Sequence, residues 1–296
     1  MSSSRARWNI SGREGRRLVV VACAQYAVRD GDPETNLESS VGAIRAAANA
    51  GADLVVLPEL ANSGCDFPSR EQALKLAEKV RETGENPCGP TLSAWKEVAQ
   101  QSGVFVVVGF LEREGGSLYN SAAVIGPGLF ERYRKTHLWD GEKLLYEAGR
   151  DLPVFDTPLG RLGVLICYDA WFPEAARTLA LRGADLICIP ANAPNDWVPE
   201  ERRRGDLTAL NVHAISHANT NRLFVACANR VRDGYLGRSC VVDTTGGILA
   251  FGSATQEELM GAEIDIERSY REKQLTENSH AFDDRNPQAY QDLSAP

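Results

Sequence analysis

Arg161–Glu174 reads RLGVLICYDAWFPE. The run Val164, Leu165 and Ile166 suits a strand buried in a parallel sheet. Gly163–Cys167 is therefore read as a strand, turning at once into a helix that covers Glu174–Arg182, so that one thiol stands at a strand-to-helix junction. In open α/β sheets ligands bind in the crevice beyond the carboxyl ends of the strands. A thiol placed there can be held beside backbone N–H groups and charged partners that favour the thiolate. The competing reading makes Cys167 a small buried hydrophobe, the usual fate of a free cysteine. Its neighbours must decide.

Outward from this stretch, apolar runs rich in Val and Ile alternate with segments of helical period, the pattern of an α/β or layered α+β domain. Strands are expected at Leu18–Ala24, Leu54–Leu57, Val104–Gly109, Ser121–Ile125, Leu186–Pro190, Phe224–Asn229, Ser239–Val242, Ile248–Phe251 and Ala262–Ile266. Helices are expected at Glu71–Glu82, Leu92–Gln101 and Leu207–Ala218, and the spacing of Leu37, Val41, Ile44 and Ala48 gives one more with an apolar face. Turn residues such as Thr245-Gly246-Gly247 between late strands imply antiparallel additions.

The chain has 296 residues, 43% of them hydrophobic, and nothing in its middle reads as a linker, so one domain is expected over residues 18–270. Residues 1–17 carry five arginines in a Ser/Gly-rich setting and read as a disordered tail. Residues 271–296 are polar and read as disordered or as an arm packing on another subunit. Seven cysteines show no CxxC or Cys/His pairing, and no apolar leader opens the chain, which suggests a reducing cytoplasm. His137, His213, His217 and His280 show no metal-ligand spacing, so neither metal nor cofactor is expected. A net charge of -8 argues against nucleic acid or an anionic membrane as partner, and no apolar run reaches the roughly 18 residues of a span. A small molecule remains.

Three segments place a reactive side chain just beyond an expected strand or hairpin: LVVLPEL gives Glu59, YRKTHLW gives Lys135 and LICYDAWFPE gives Cys167. Singly, Glu59 could cap a helix and Lys135 could be a solvated charge. Together a thiol, a carboxylate and an ammonium can divide the work of acyl transfer into attack, proton transfer and oxyanion stabilisation.

These segments resemble the nitrilase superfamily of C–N hydrolases, which carries a Glu-Lys-Cys triad in this chain order. The similarity spans about residues 18–270 and includes VACAQ near Cys23, GDPETNLE from Gly31, LPEL, YRKTHLW, CYDAWFPEAAR and GADLICIPAN from Gly183. It implies a four-layer αββα sandwich, pairing into a homodimer or a higher homo-oligomer. It also implies Cys167 as nucleophile, Glu59 as general base and Lys135 as oxyanion stabiliser with the Tyr168 backbone N–H. Lys135 and the N-terminus of the helix after the strand would favour the thiolate. A second glutamate of the family matches Glu142 best, with Glu147 as the fallback.

Carboxamide, N-carbamoyl amine and nitrile hydrolysis all fit this triad. Tyr168-Asp169 after the cysteine resembles the amidase and carbamoylase branches rather than the nitrilases, where Trp-Glu is typical. The short spacing from Lys135 to Glu142 resembles amidases of small linear primary amides, whereas CYDAWFPEAAR with His217-Ala218 and Asn221 also resembles N-carbamoylputrescine amidases. A non-catalytic scaffold member is the reading from another class, opposed by the intact Glu59, Lys135 and Cys167. A redox-sensing Cys167 is a further one, without an obvious resolving cysteine. Pocket candidates are Tyr168, Trp171, Asn192, Asn195, Trp197 and Trp139, and one of Arg202, Arg203 and Arg204 is a candidate carboxylate clamp. One departure stands out: many amidases of the family have Ala-x-Glu-Asn where this chain has Ala218-Asn219-Thr220-Asn221, leaving Thr220 at the glutamate position.

Overall fold

The computed structural model describes residues 17–80, 89–194, 206–232 and 234–294. In chain order its strands are β1 (Leu18–Gln25), β2 (Leu54–Val56), β3 (Glu78–Lys79), β4 (Phe105–Glu114), β5 (Ser117–Gly126), β6 (Leu129–Arg134), β7 (Val154–Thr157), β8 (Gly160–Val164), β9 (Leu186–Ala191), β10 (Phe224–Asn229), β11 (Val231–Arg232), β12 (Tyr235–Leu236), β13 (Cys240–Val242), β14 (Ile248–Phe251), β15 (Glu258–Asp265), β16 (Gln274–Thr276) and β17 (Ser279–His280). The helices are α1 (Pro33–Asn49), α2 (Arg70–Leu76), α3 (Pro90–Ser102), α4 (Glu142–Leu145), α5 (Pro173–Leu181), α6 (Ala209–Asn221) and α7 (Arg268–Arg271).

One sheet runs β15-β1-β2-β4-β5-β6, with β3 beside β4, and the other runs β14-β13-β10-β9-β8-β7. Each has three parallel strands at its centre, β1-β2-β4 and β8-β9-β10, flanked by antiparallel ones. The period of two along β1 shows how they stack. Val19, Val21 and Cys23 join the core shared with the second sheet, whereas Val20, Ala22 and Ala24 join Ile44 and Ala47 of α1 and Leu92, Trp95 and Val98 of α3. On the far side Ala175, Ala176 and Leu179 of α5 and Leu210, Ala214 and Ala218 of α6 cover the second sheet. The result is the four-layer αββα sandwich. Among the described residues no helix is long and apolar enough to cross a membrane.

Several details differ from the sequence reading. The fully buried positions of α1 are Asn36, Ser40, Ile44 and Ala47, with Leu37, Val41 and Ala48 only partly buried. Polar burial is tolerated because Asn36 exchanges hydrogen bonds with the backbone of Arg29 and the Ser40 hydroxyl accepts from Trp95 Nε1 at 2.8 Å. The helix expected over Glu71–Glu82 stops at Leu76, and Glu78–Lys79 pairs with β4. The strand before Cys167 ends at Val164, and a 3₁₀ turn, Cys167–Trp171, precedes α5. The polar end is not featureless between Gln274 and Ser294: β16 and β17 form a small hairpin, and Phe282 packs on the main core between Arg177 and Lys273.

Candidate active site

Glu59 and Cys167 each lie three residues beyond the last residue of a parallel strand, Val56 of β2 in the first sheet and Val164 of β8 in the second. Glu59 is pressed against β4, where the Gly109 N–H donates to Pro58 O and its carbonyl accepts from Ala61 N. A Cβ on Gly109 would sit 2.5 Å from Glu59 Cα, so the close approach requires glycine there. Cys167 has φ 45°, in the left-handed region that costs an L-residue roughly 1–2 kcal/mol. A strained turn of this kind turns the side chain out of the strand direction, and such outliers gather at functional sites.

Lys135 follows directly on β6 and extends its ladder by donating its N–H to Asn120 O at 2.8 Å. On its other side Gly149 N donates to Lys135 O at 2.8 Å, and the chain passes so near that a Cβ on Gly149 would meet Arg134 O at 2.1 Å. Lys135 is thereby buried, with 1% of its surface exposed. Its Nζ donates to Glu59 Oε1 at 2.7 Å and to both oxygens of Glu142, at 3.0 and 2.9 Å. Burial works against the ammonium, but Glu59, Glu142 and the neighbouring Cys167 together hold its titration above the ordinary lysine range. Glu142 opens the short helix α4, and its Oε2 also accepts from the Trp139 backbone N–H at 2.7 Å. Its titration is raised, by burial first; one cation cannot fully compensate two carboxylates, so the opposing pull of Lys135 is outweighed by burial with Glu59.

Two asparagines complete the frame. Asn120 Nδ2 bridges the carboxylates, donating to Glu59 Oε1 at 2.7 Å and to Glu142 Oε1 at 2.8 Å. Asn192, one residue past β9, directs its N–H to Glu59 Oε2 (2.8 Å) and its Nδ2 to Glu59 O (2.9 Å). Asn192 was expected in the pocket; its described bonds orient Glu59. Asn120 was missed, lying one residue before the expected strand Ser121–Ile125.

Cys167 lies within electrostatic reach of Glu59, Lys135 and Glu142 and faces the Asn192 N–H. Burial pushes its thiol well above the usual cysteine range, Glu59 adds to the effect, and Lys135 only partly opposes it. This corrects the expectation of a favoured thiolate. The helix after Cys167 is a five-residue 3₁₀ turn, too short to supply a macrodipole, and α5 begins only at Pro173. A buried carboxylate, Glu59, stands beside this thiol.

The remaining expected residues fall into three groups. Tyr168, Trp171 and Trp139 form an aromatic rim: Trp139 meets Tyr168 edge-on at 4.8 Å, Tyr168 lies 6.0 Å from Trp171, and both tryptophans are over a third exposed. Trp171 also packs 4.9 Å from His213, whereas His217 is buried and donates Nε2–H to Ala170 O, with burial lowering its titration below the ordinary histidine range. Asn195, Trp197, Arg202, Arg203 and Arg204 lie outside the described residues. Glu147 is exposed and takes no part, its N–H donating to Leu118 O. Thr220 is exposed on α6, with its hydroxyl on Ser216 O and its carbonyl accepting from Arg177 Nη2. Lys135 is flanked instead by Glu59 and Glu142. Among the described residues no cluster of His, Cys, Asp or Glu could hold a metal ion.

Fold and site together define a hydrolase class, and the chain matches the carbon-nitrogen hydrolase family over residues 20–274. It belongs to that family, the nitrilase superfamily, and is a hydrolase acting on carbon-nitrogen bonds other than peptide bonds. It is 36% identical over 280 residues to a nitrilase of Pyrococcus abyssi, covering 92% of this chain and 99% of that one. To an (R)-stereoselective amidase of Pseudomonas sp it is 33% identical over 254 residues, 84% of this chain and 85% of that one. A carbon-nitrogen hydrolase from Helicobacter pylori superposes with a TM-score of 0.79 at 25% identity, over 95% of this chain and 99% of that one.

Proposed function

We propose that this chain hydrolyses a small linear primary carboxamide to carboxylate and ammonia through a thioester on Cys167. The observation that carries the reading is the cluster of the buried Cys167, Lys135 and Glu59 with the part-buried Glu142. In the forward direction Cys167 Sγ attacks the amide carbon as its proton passes to Glu59. The developing oxyanion lies against the Lys135 ammonium and the Tyr168 N–H. Collapse breaks the C–N bond, and Glu59 returns the proton to the departing ammonia. A water then gives a proton to Glu59 as its oxygen attacks the thioester, releasing the carboxylate and restoring the thiol. Glu142 keeps the lysine charged and aimed throughout. Tyr168-Asp169 after the nucleophile supports amide over nitrile.

The test is ammonia release from a panel of primary amides, N-carbamoyl amines and nitriles, with Cys167→Ala alongside. Amide turnover that disappears in the alanine variant is expected, with a loss of at least about 10⁴-fold. Turnover confined to carbamoyl compounds or nitriles would replace the substrate class, and an active Cys167→Ala protein would remove Cys167 as nucleophile.

A further inference from the structure

Asp169 lies two residues past Cys167, fully buried in the 3₁₀ turn, and its carboxylate collects five donors. Oδ1 accepts from Thr136 Oγ1 (3.0 Å), the His137 N–H (2.9 Å) and His137 Nδ1 (2.8 Å). Oδ2 accepts from the Tyr133 hydroxyl (2.7 Å) and the Ile166 N–H (2.9 Å). The first four donors belong to Tyr133, Thr136 and His137, the residues that bracket Lys135. The fifth sits immediately before Cys167, and Asp169's own N–H closes the turn from the other side by donating to Ile166 O at 2.9 Å. One carboxylate thus spans the lysine segment of the first sheet and the cysteine turn of the second. The stack of His137 on Phe172, at 3.8 Å and 12°, joins the same two segments.

From this arrangement we infer that Asp169 is a positioning residue for the reaction proposed above: it locks the left-handed turn at Cys167 in register with the Lys135 segment. Its side-chain hydrogen bonds go to Tyr133, Thr136, His137 and the Ile166 N–H, and it acts through the lysine segment and the cysteine turn. The donor set explains why a carboxylate is needed. Ile166 N–H and His137 N–H are backbone donors that cannot reverse, and they lie on different oxygens. An asparagine in this place would point its amide NH₂ at one of them whichever way it turned. The Tyr133 hydroxyl also accepts weakly from the Thr136 N–H at 3.3 Å, so Tyr133, Thr136 and Asp169 behave as one network.

The inference rests on the amidohydrolase reading for its effect on turnover but not for its effect on the thiol, and the experiment uses both. Asp169→Asn and Tyr133→Phe are prepared in the full chain, and their unfolding midpoints establish that they fold. Turnover of the best amide is measured, together with the pH profile of Cys167 carboxamidomethylation by iodoacetamide, read by intact mass. A misplacement near 1 Å costs about 100-fold in rate. Asp169→Asn is therefore expected to lower kcat about 100-fold with KM nearly unchanged and to displace the alkylation profile. Tyr133→Phe, which keeps the ring and removes one donor, shifts both in the same direction by less, and it decides the matter should the asparagine variant not fold. Wild-type kcat and a wild-type alkylation profile in folded variants would overturn the inference. If no amide is turned over by the wild type, a displaced alkylation profile still upholds Asp169's part while the amidase reading falls.

Discussion

Replacing Lys135 with Met keeps most of the buried stem and removes only the ammonium. Glu59 Oε1 and Glu142 Oε1 each lie within 2.8 Å of Asn120 Nδ2, so the two oxygens are at most about 5.5 Å apart. At an effective dielectric of about 20, unit charges at that separation repel by about 3 kcal/mol, which agrees with the 3–5 kcal/mol typical of breaking a buried ion pair. The variant can relieve the repulsion by binding a proton on one carboxylate. Glu142, which burial already raises above its ordinary 4.5, is the group that holds its proton to higher pH in the folded variant. Folding then binds a proton, so relative stability is preserved below the unfolded value and lost as pH rises through the folded one. Urea unfolding followed by tryptophan fluorescence should show Lys135→Met weaker than wild type by about 3 kcal/mol at pH 8, with a much smaller deficit at pH 5. A deficit independent of pH would refute the shared-cation geometry.

Three further outcomes are expected. Because burial and Glu59 raise the Cys167 thiol well above 9.0, its alkylation by iodoacetamide should accelerate through pH 9 without a plateau near neutrality, and Glu59→Gln should move the profile to lower pH; a neutral plateau in the wild type would contradict this. Asn120→Ala removes a donor shared by two carboxylates and should cost about 2 kcal/mol in urea unfolding, together with most of kcat; unchanged values of both would exclude a bridging role. Thr220→Glu puts a carboxylate beside Arg177, whose charge is disfavoured by burial and by Arg285 and whose Nη1 is buried without a partner. Stability should rise by up to about 1 kcal/mol, an effect that salt diminishes, and a lowered melting temperature would count against it.

The legible parts of the sequence were those where one physical signal dominates. Phe224–Asn229 was bounded correctly because five buried apolar or small residues, Phe224 to Ala228, run up to the polar pair Asn229-Arg230. β6 was not expected, since LFERYR mixes charge into an edge strand; the pattern makes sense only once Arg132 and Arg134 are seen to pair with the buried Glu112 of β4, twenty or more residues away. The same distance in sequence hid Asn120 and the role of Asp169, whose partners lie on other strands and loops. Cys167 was placed at the right boundary but in the wrong backbone state, because a positive φ on a cysteine has no residue-type signature. Glu142 rested on family likeness alone, as a carboxylate in EKLLYEAG has no local mark that distinguishes it from a solvated one.

The geometry also explains why the reactive groups belong to two sheets rather than one. Val56 ends the middle strand of one parallel triplet and Val164 the outer strand of the other, and the chain beyond each turns through a left-handed residue, Leu60 at φ 48° and Cys167 at φ 45°. A carboxylate and a thiol delivered by one sheet would share its solvation and compete for the same strand-end N–H groups. Delivered by facing sheets, they meet across the sandwich core, where Asn192 of the second sheet fixes Glu59 of the first with two hydrogen bonds and Asp169 ties the cysteine turn to the lysine segment. The low dielectric that raises the thiol's titration also strengthens the attraction between Lys135 and any oxyanion formed on substrate. Under the proposed amidase reading, inter-sheet packing is therefore part of the catalytic apparatus. Core substitutions that shift the register of β8 or β9 against β2 should act on turnover before they act on the fold as a whole.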